Sequence, residues 1–339
     1  MSGEKMIRVW FNHWFSTSYG IIELMKKDGK EKIHVIGSNS QINSVIKKVC
    51  DEWYLDSDAS GNDYIDFALN FCKEHKVDVF VPRRNMIEIS KNKKKFEQIG
   101  VKLLLDDYEK IEPLNNKAKT YELLGKIPSV IIPEFEVVNS YEEFEAAYKR
   151  LHENHSQVCV KFVQDEGAMS YRRIAEDGDP ADSIRSYARA QVSLEKYAAA
   201  LKKIGTFDDL MVMEYLPGSE ISVDCLNTKK GLIAVPRCKG SGRDEKIIAD
   251  SEILKMSQDI MEAINLEYPF NIQFKIKDNK PYLLEINTRM SGGIQMTCLA
   301  ENINIPNIAL NKVLGNDLDW NFELKEKIVS YIEIPVVIS

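Results

Sequence analysis

No stretch of the chain approaches the roughly 20 consecutive apolar residues of a helical membrane span, and Met1-Ser2-Gly3-Glu4-Lys5-Met6 lacks the apolar centre of a signal peptide. These absences predict a cytoplasmic protein without a membrane partner. A basic excess is missing as well: 45 Lys and Arg stand against 52 Asp and Glu, a formal charge of −7, which argues against nonspecific nucleic-acid binding. The six cysteines, Cys50, Cys72, Cys159, Cys225, Cys238 and Cys298, contain no C-x-x-C pair, and the five histidines no H-E-x-x-H spacing. Packed, reduced thiols are expected rather than disulfides or a zinc site. A G-x-G-x-x-G fingerprint is also absent: the turn after the first apolar run reads Asn12-His13-Trp14-Phe15-Ser16-Thr17-Ser18-Tyr19-Gly20, which excludes a dinucleotide there.

What is present is an ordinary globular composition, 44% apolar and 29% charged over 339 residues, enough for about two domains. Residues 1–110 alternate short apolar runs with amphipathic stretches, the pattern of βα units around a parallel sheet. The expected strands are Met6–Phe11, Lys32–Ile36, Val77–Val81 and Val101–Leu105. Helical spacing covers Tyr19–Lys27 and Tyr64–His75, the latter with a stripe of Tyr64, Ile65, Ala68, Phe71 and Cys72. From 111 a second part begins, with a first lobe over 111–209 and a second over 210–339. In the first lobe, a capped helix start at Asn115–Leu124 precedes a strand at Phe135–Val138 and a helix at Ser140–Leu151 with a Ser140-x-x-Glu143 capping box. A strand at Gln157–Val163, a loop over Gln164–Tyr171 and a polar helical segment over Asp182–Lys203 follow. In the second lobe, Leu210–Leu216, Ile221–Asn227, Gly231–Arg237, Phe270–Lys277 and Pro281–Asn287 read as strands, with helices near Glu252–Asn265 and Gly293–Glu301. Short polar turns join 221–227 to 231–237 and 270–277 to 281–287 as hairpins, so this lobe reads as α+β. The apolar run Ile328–Ile338 is expected to complete a sheet or an interface.

Chemistry concentrates in the second hairpin. Period-two alternation sets Gln273 opposite Ile272, Phe274 and Ile276, and sets Glu285 and Asn287 opposite Tyr282, Leu284 and Ile286. Three oxygen-bearing side chains on adjacent strands suit a hard divalent cation shared with phosphates and waters, as Mg²⁺ prefers; they equally suit a solvated hairpin face. The planar fork of Arg289 suits a transferring phosphoryl group or an acyl phosphate. In Glu214-Tyr215-Leu216-Pro217-Gly218-Ser219-Glu220, a strand end offers backbone groups to an adenine edge, with a carboxylate for ribose hydroxyls. Lys161, between Val160 and Phe162 on a strand, is an expensive cation unless it faces an anion, although an edge-strand lysine reads the same way.

Taken in order, these pieces resemble the ATP-grasp superfamily from about Pro113 to Ile334, and most closely its carbamoyl-phosphate-synthetase-like branch, whose Gln…Glu-x-Asn metal pattern matches Gln273, Glu285 and Asn287. The resemblance implies an ATP-grasp fold preceded by a Rossmann-like pre-ATP-grasp domain over the first 110 residues. It also implies ATP and Mg²⁺ (or Mn²⁺) as cofactors. Lys117 and Lys161 match the lysines that contact ATP phosphates; Glu214, Tyr215 and Leu216 the adenine hinge; Glu220 the ribose acid; and Arg289 the phosphate clamp. Two departures are visible: the phosphate-covering loop, Gln164–Arg172, holds only Gly167 where glycines are usual, and Asn116 and Thr288 replace the usual Asp and Pro.

The implied reaction is attack of a substrate carboxylate on the γ-phosphorus and capture of the acyl phosphate by an amine, a task of positioning and charge neutralisation that needs no side-chain nucleophile. The implied partners are a small carboxylate and an amine of amino-acid or peptide-like type, and homodimers are common in the family. The expected acceptor wall is Ser291-Gly292-Gly293, with Arg237, Lys239 and Arg243 on a mobile loop as basic candidates; Arg83 and Arg84, at a strand end, are weaker ones. The alternatives are a phosphotransferase or carbamate-using enzyme of the same fold, a non-catalytic ATP-binding module, and an interaction protein docking through 182–203.

Overall fold

The computed structural model describes residues 6–13, 15–27, 32–164, 169–175, 191–240 and 242–338. By their contacts the residues form two units: Met1–Glu112 with Ile221–Gln273 and Ile286–Ser339, and Pro113–Glu220 with Phe274–Glu285.

The first 112 residues fold as β1 (Ile7–Phe11), α1 (Ser18–Lys26), β2 (Ile33–Asn39), β3 (Glu52–Leu55), α2 (Gly61–Glu74), β4 (Val79–Val81), α3 (Met86–Lys91), α4 (Lys93–Gln98), β5 (Lys102–Leu103) and α5 (Tyr108–Ile111). The strands make a parallel sheet in the order β3-β2-β1-β4-β5. All four expected strands are present and the α2 stripe is buried residue for residue as its spacing predicts. Strand β3 was not anticipated, because its side chains are only half-buried at the sheet edge and carry no alternation.

The strand order reverses at β1 and β4, and their ends are tied together there. Asn12 Oδ1 accepts the Arg83 N–H at 2.7 Å, while its Nδ2 donates to Tyr64 Oη at 2.7 Å and to the Arg84 carbonyl at 3.1 Å. His13, fully enclosed, lies 3.1 Å through Nε2 from the Val81 carbonyl and 2.7 Å through Nδ1 from Ser18 Oγ. A carbonyl only accepts, so Nε2 carries the proton. Burial, and next the Arg83 guanidinium, push this imidazole down to about 3. The unfolded chain therefore binds a proton below pH 6.5 that the native state refuses, and stability falls as pH drops from 6.5 toward 3. Between pH 7 and 5 His13 should remove about 2 kcal/mol, read as a lower urea midpoint, and His13→Gln should abolish that difference. Glu52, held near 2 mainly by its hydrogen bond from Arg8, loses its contribution only below its unfolded value of 4.5, outside this window. An equal pH 7-to-5 loss in His13→Gln would refute the assignment.

The second unit is built from α6 (Lys117–Leu124), β6 (Phe135–Val138), α7 (Tyr141–Asn154), β7 (Val158–Phe162), β8 (Arg172–Ala175), β9 (Gln191–Ser193), α8 (Leu194–Ile204) and β10 (Leu210–Glu214). Its sheet runs β6-β10-β7-β8-β9. Asn116 caps α6, accepting the Lys119 N–H at 3.0 Å. Ser140 caps α7 through the Glu143 N–H at 3.4 Å, and Glu143 reaches back to the Asn139 N–H at 3.0 Å, one residue earlier than a capping box requires. Of the helix expected at 182–203, residues 182–190 lie outside the described residues, as do 165–168 of the expected phosphate loop. Residues 191–193 are strand, and the helix begins at Leu194 because Ser193 Oγ caps it by accepting the Lys196 N–H at 3.3 Å. Phe144, Ala147, Tyr148 and Leu151 of α7 pack on Val158, Val160, Leu210 and Val212 as the unit's core.

The remaining elements are β11 (Glu220–Thr228), β12 (Gly231–Lys239), β13 (Asp244–Ile247), α9 (Ser251–Ile264), β14 (Phe270–Lys277), β15 (Lys280–Asn287), α10 (Ile294–Glu301), α11 (Ile305–Leu314) and β16 (Lys327–Ser330). The sheet order is β15-β14-β11-β12-β13-β16, and β14 and β15 contribute residues to both units. Leu226, Ile233, Val235, Ile294, Ile305 and Leu310 share one core with Val9, Phe11 and Ile22. Three expectations change. Helix α11 escaped notice because nearly every residue is buried, leaving no polar stripe to reveal its period. The run expected as strand to Ile338 is strand only to Ser330, because its partner β13 supplies just four residues; Ile332 and Ile334 beyond it are 87% and 75% exposed. On β15 the fully buried residue is Leu283, on the side of Glu285, whereas Leu284 is only half-buried.

Candidate active site

Lys117 opens α6, and its backbone N–H donates to the Val163 carbonyl at 3.1 Å, tying the helix start to the end of β7. Its Nζ lies 3.8 Å from Glu285 Oε2. Lys161, on β7, is 6% exposed; its Nζ donates to the Leu284 carbonyl at 3.4 Å and lies 5.6 Å from the centre of the Tyr121 ring. Tyr121 Oη donates to the same carbonyl at 2.8 Å. A buried ammonium beside this carbonyl and this aromatic face places positive charge at residue 284. Residues 284–285 thus gather two lysines and a carboxylate, the charge pattern that a polyphosphate with a divalent cation requires.

Glu214 ends β10 at 4% exposure, and its carboxylate is fully engaged. Oε1 accepts the Glu134 N–H at 3.0 Å; Oε2 pairs with Lys277 Nζ and lies 3.5 Å from His155 Nδ1. His155 Nε2 in turn lies 2.7 Å from Glu134 Oε2. Burial works against the Lys277 charge, and Glu214 more than offsets it, raising that ammonium above the usual lysine value. Sequence reasoning missed Lys277 and His155: 63 residues separate Lys277 from Glu214, and no spacing rule spans that distance. Tyr215 lies under the Arg173 guanidinium at 5.3 Å, Leu216 is buried, and half-buried Glu220 begins β11. Gly218 follows from packing: its N–H donates to the Ile276 carbonyl at 3.0 Å, and a Cβ there would overlap that oxygen.

In the first unit, Arg289 Nη2 donates to Asn287 Oδ1 at 3.2 Å and Nη1 to the Met290 carbonyl at 3.2 Å. Arg237 was expected on a mobile loop, but β12 continues to Lys239 and Arg237 is 1% exposed. Its Nε donates to Asp224 Oδ2 at 3.1 Å, Nη1 pairs with Glu245, and Nη2 donates to Ser291 Oγ at 3.1 Å. Burial opposes this charge, yet Asp224 and Glu245 raise the guanidinium above its ordinary value. Arg243 is exposed and pairs with Glu333 at 2.5 Å. Arg237, Lys239, Arg243, Gln273, Ser291 and Gly292 all line one cavity of about 610 Å³, together with Ser16 and Thr17 before α1.

Among the described residues, no three His, Cys, Asp or Glu side chains gather as a metal site. Of the residues expected to bind a cation, Glu285 belongs to the second unit, and Asn287 and Gln273 to the first. Glu285 and Asn287, two residues apart on β15, point to the same side of the strand. Carboxylate and amide oxygens suit Mg²⁺ better than a softer ion.

Residues 206–333 match a protein-family model described as ATP-grasp in the biosynthetic pathway with Ter operon. The carbamoyl phosphate synthase large chain of Pyrococcus furiosus is 25% identical over 260 residues, covering 72% of this chain and 22% of the relative. The chain thus spans about a fifth of the length of the curated relatives it matches. Among solved structures, the biotin carboxylase domain dimer of Hydrogenobacter thermophilus 2-oxoglutarate carboxylase, in complex with MgADP, ADP and bicarbonate, is similar with a TM-score of 0.68 at 16% identity, covering 94% of this chain and 72% of that one. An L-amino acid ligase from Bacillus licheniformis gives 0.65 at 14% identity, covering 92% and 75%.

Proposed function

We propose that this chain, whose fold is the ATP-grasp fold, is an ATP- and Mg²⁺-dependent ligase that activates a small carboxylate as an acyl phosphate and joins it to an amine. One observation carries the reading: Lys117, Lys161 and Glu285 gather around residues 284–285 of β15, with Lys117 Nζ 3.8 Å from Glu285 and Lys161 Nζ 3.4 Å from the Leu284 carbonyl. In this reading residues 1–110 are the pre-ATP-grasp domain and 111–339 the ATP-grasp domain of a cytoplasmic homodimer. Among the described residues no helix is long and apolar enough to cross a membrane.

Lys117 and Lys161 neutralise the phosphates, Tyr215 and Leu216 border the adenine, and Glu220 takes the ribose hydroxyls. Glu285, Asn287 and Gln273 would hold Mg²⁺, which when bound supplies charge neutralisation on the phosphate oxygens. Arg289 clamps the transferred phosphoryl group, while Arg237, Arg243, Ser291 and Gly292 belong to the substrate side. The carboxylate oxygen attacks the γ-phosphorus and ADP leaves; the amine then attacks the acyl carbon and inorganic phosphate leaves. Nothing in this scheme needs a side-chain nucleophile, so the protein's contribution is orientation and fixed charge.

The test is ADP release with Mg²⁺-ATP against pooled amino acids, dipeptides and small carboxylates, with mass spectrometry of any responding pool. A product whose mass equals acid plus amine less water supports the ligase. A phosphorylated product without amine would replace this reading by a phosphotransferase. Tight ATP binding with no turnover in any pool would replace it by a binding module.

A further inference from the structure

Three consecutive residues of β14 hold the connection from β10 to β11, all within the second unit. Lys277 Nζ pairs with Glu214 Oε2, and Lys275 Nζ donates to the Gly218 carbonyl at 3.0 Å. Between them, the Ile276 carbonyl accepts the Gly218 N–H at 3.0 Å, and the Ile276 N–H donates to the Ser219 carbonyl at 3.0 Å. On its other side Glu214 is bound to residue 134 twice: Oε1 accepts the Glu134 N–H, and the Glu214 N–H donates to the Glu134 carbonyl, each at 3.0 Å. Among the described residues Lys277 is the one permanent cation on this buried carboxylate, since His155, 3.5 Å away, is charged only when protonated. Without Lys277 the carboxylate is short of a cation in a poorly solvated place, which is unfavourable until it turns elsewhere and the strand end shifts with it.

The same connection has nearly exhausted its own amides. The N–H groups of Glu214, Tyr215 and Gly218 donate to the carbonyls of Glu134, Gln157 and Ile276, and Pro217 has none. What remains is the Leu216 N–H, in a residue 4% exposed, and beside it the Tyr215 carbonyl; neither has a partner among the described residues. An unpaired donor in so buried a residue calls for an acceptor, which a base edge supplies. We infer that Lys277, acting through Glu214, is a positioning residue that keeps the Leu216 N–H and the Tyr215 carbonyl in register with an adenine edge and so sets a preference for ATP over GTP. The inference rests on the ATP-binding part of the proposed function, not on the ligase step. One N–H beside one carbonyl matches a ring nitrogen that accepts beside an amino group that donates, as in adenine; guanine carries an oxygen in place of that amino group and sets it against the carbonyl. A mismatch that leaves such groups unpaired is strongly rejected, but only while the strand end is held in place.

Isothermal titration calorimetry on the full chain, with Mg²⁺ and no acceptor, tests this; the probes are ATP, GTP and inorganic tripolyphosphate, which has no base. Wild type should bind ATP at least 10-fold more tightly than GTP. Lys277→Met should weaken ATP at least 10-fold while GTP and tripolyphosphate stay within threefold, and Lys277→Arg should restore most of the preference. Retained tripolyphosphate binding verifies folding. If Lys277→Met does not fold, the double variant Lys277→Met with Glu214→Gln, which removes both buried charges, carries the same expectation. Equal binding of ATP and GTP by wild type, an unchanged ATP-to-GTP ratio in the variant, or ATP and tripolyphosphate weakened alike would each overturn the inference. The loss of preference with no ADP release in any acceptor pool would leave the positioning role standing and remove the ligase reading; turnover in the pools with an unchanged ratio would do the reverse.

Discussion

Glu285→Ala abolishes substrate-dependent ADP release, a fall of about 10³-fold, with the variant still folded. Removing one pre-positioned electrostatic group from a phosphoryl-transfer site costs on that order, and this carboxylate has two duties. It is the single charged oxygen donor in the proposed cation set, the other two being amides that cannot replace its charge. It also lies 3.8 Å from Lys117 Nζ, so its loss leaves that ammonium without the neighbour that orients it. Stability should change little, because Glu285 is half-buried and takes no part in either hydrophobic core. Glu285→Gln separates the two duties: it keeps the shape and removes the charge, and should fall nearly as far. Turnover within tenfold of wild type by a folded Glu285→Ala would remove the carboxylate from the reaction.

Arg237→Met should be the most destabilising single change in the first unit, by about 3–5 kcal/mol, because it strips the cation from buried Asp224 and Glu245 while preserving apolar volume. The loss should also depend on pH. Without the guanidinium, both carboxylates are raised toward their protonated forms in the native state, so the variant becomes less stable as pH rises through the carboxylate range. Asp224→Asn added to Arg237→Met should recover part of the loss. Urea unfolding at pH 5 and pH 8 measures all of this. A loss under 1 kcal/mol at both values would mean that these charges are solvated.

Helices α2 and α7 and strands β6 and β14 could be placed by reading alone, since each has one apolar face and so a visible period. The nucleotide-binding candidates were legible for a different reason: Lys161 is a lysine where an apolar residue is expected, and Glu285 and Asn287 are the polar members of an alternating strand. What escaped was whatever lacks contrast or depends on distant partners. Helix α11 is buried nearly all round, no residue of β3 is buried, and the clamp on Glu214 draws Lys277 and His155 from other elements.

By itself the sequence determined the class of fold, the core-facing stripes and which polar residues sit at odds with their surroundings, because those depend on neighbours along the chain. Only the tertiary structure decided that Arg237 is a buried framework cation rather than a loop arginine, that Glu214 turns its carboxylate into the protein, and that the final strand stops at Ser330. Each of these depends on what a group meets across space, and the strength of a charge or the length of a strand is set by that partner.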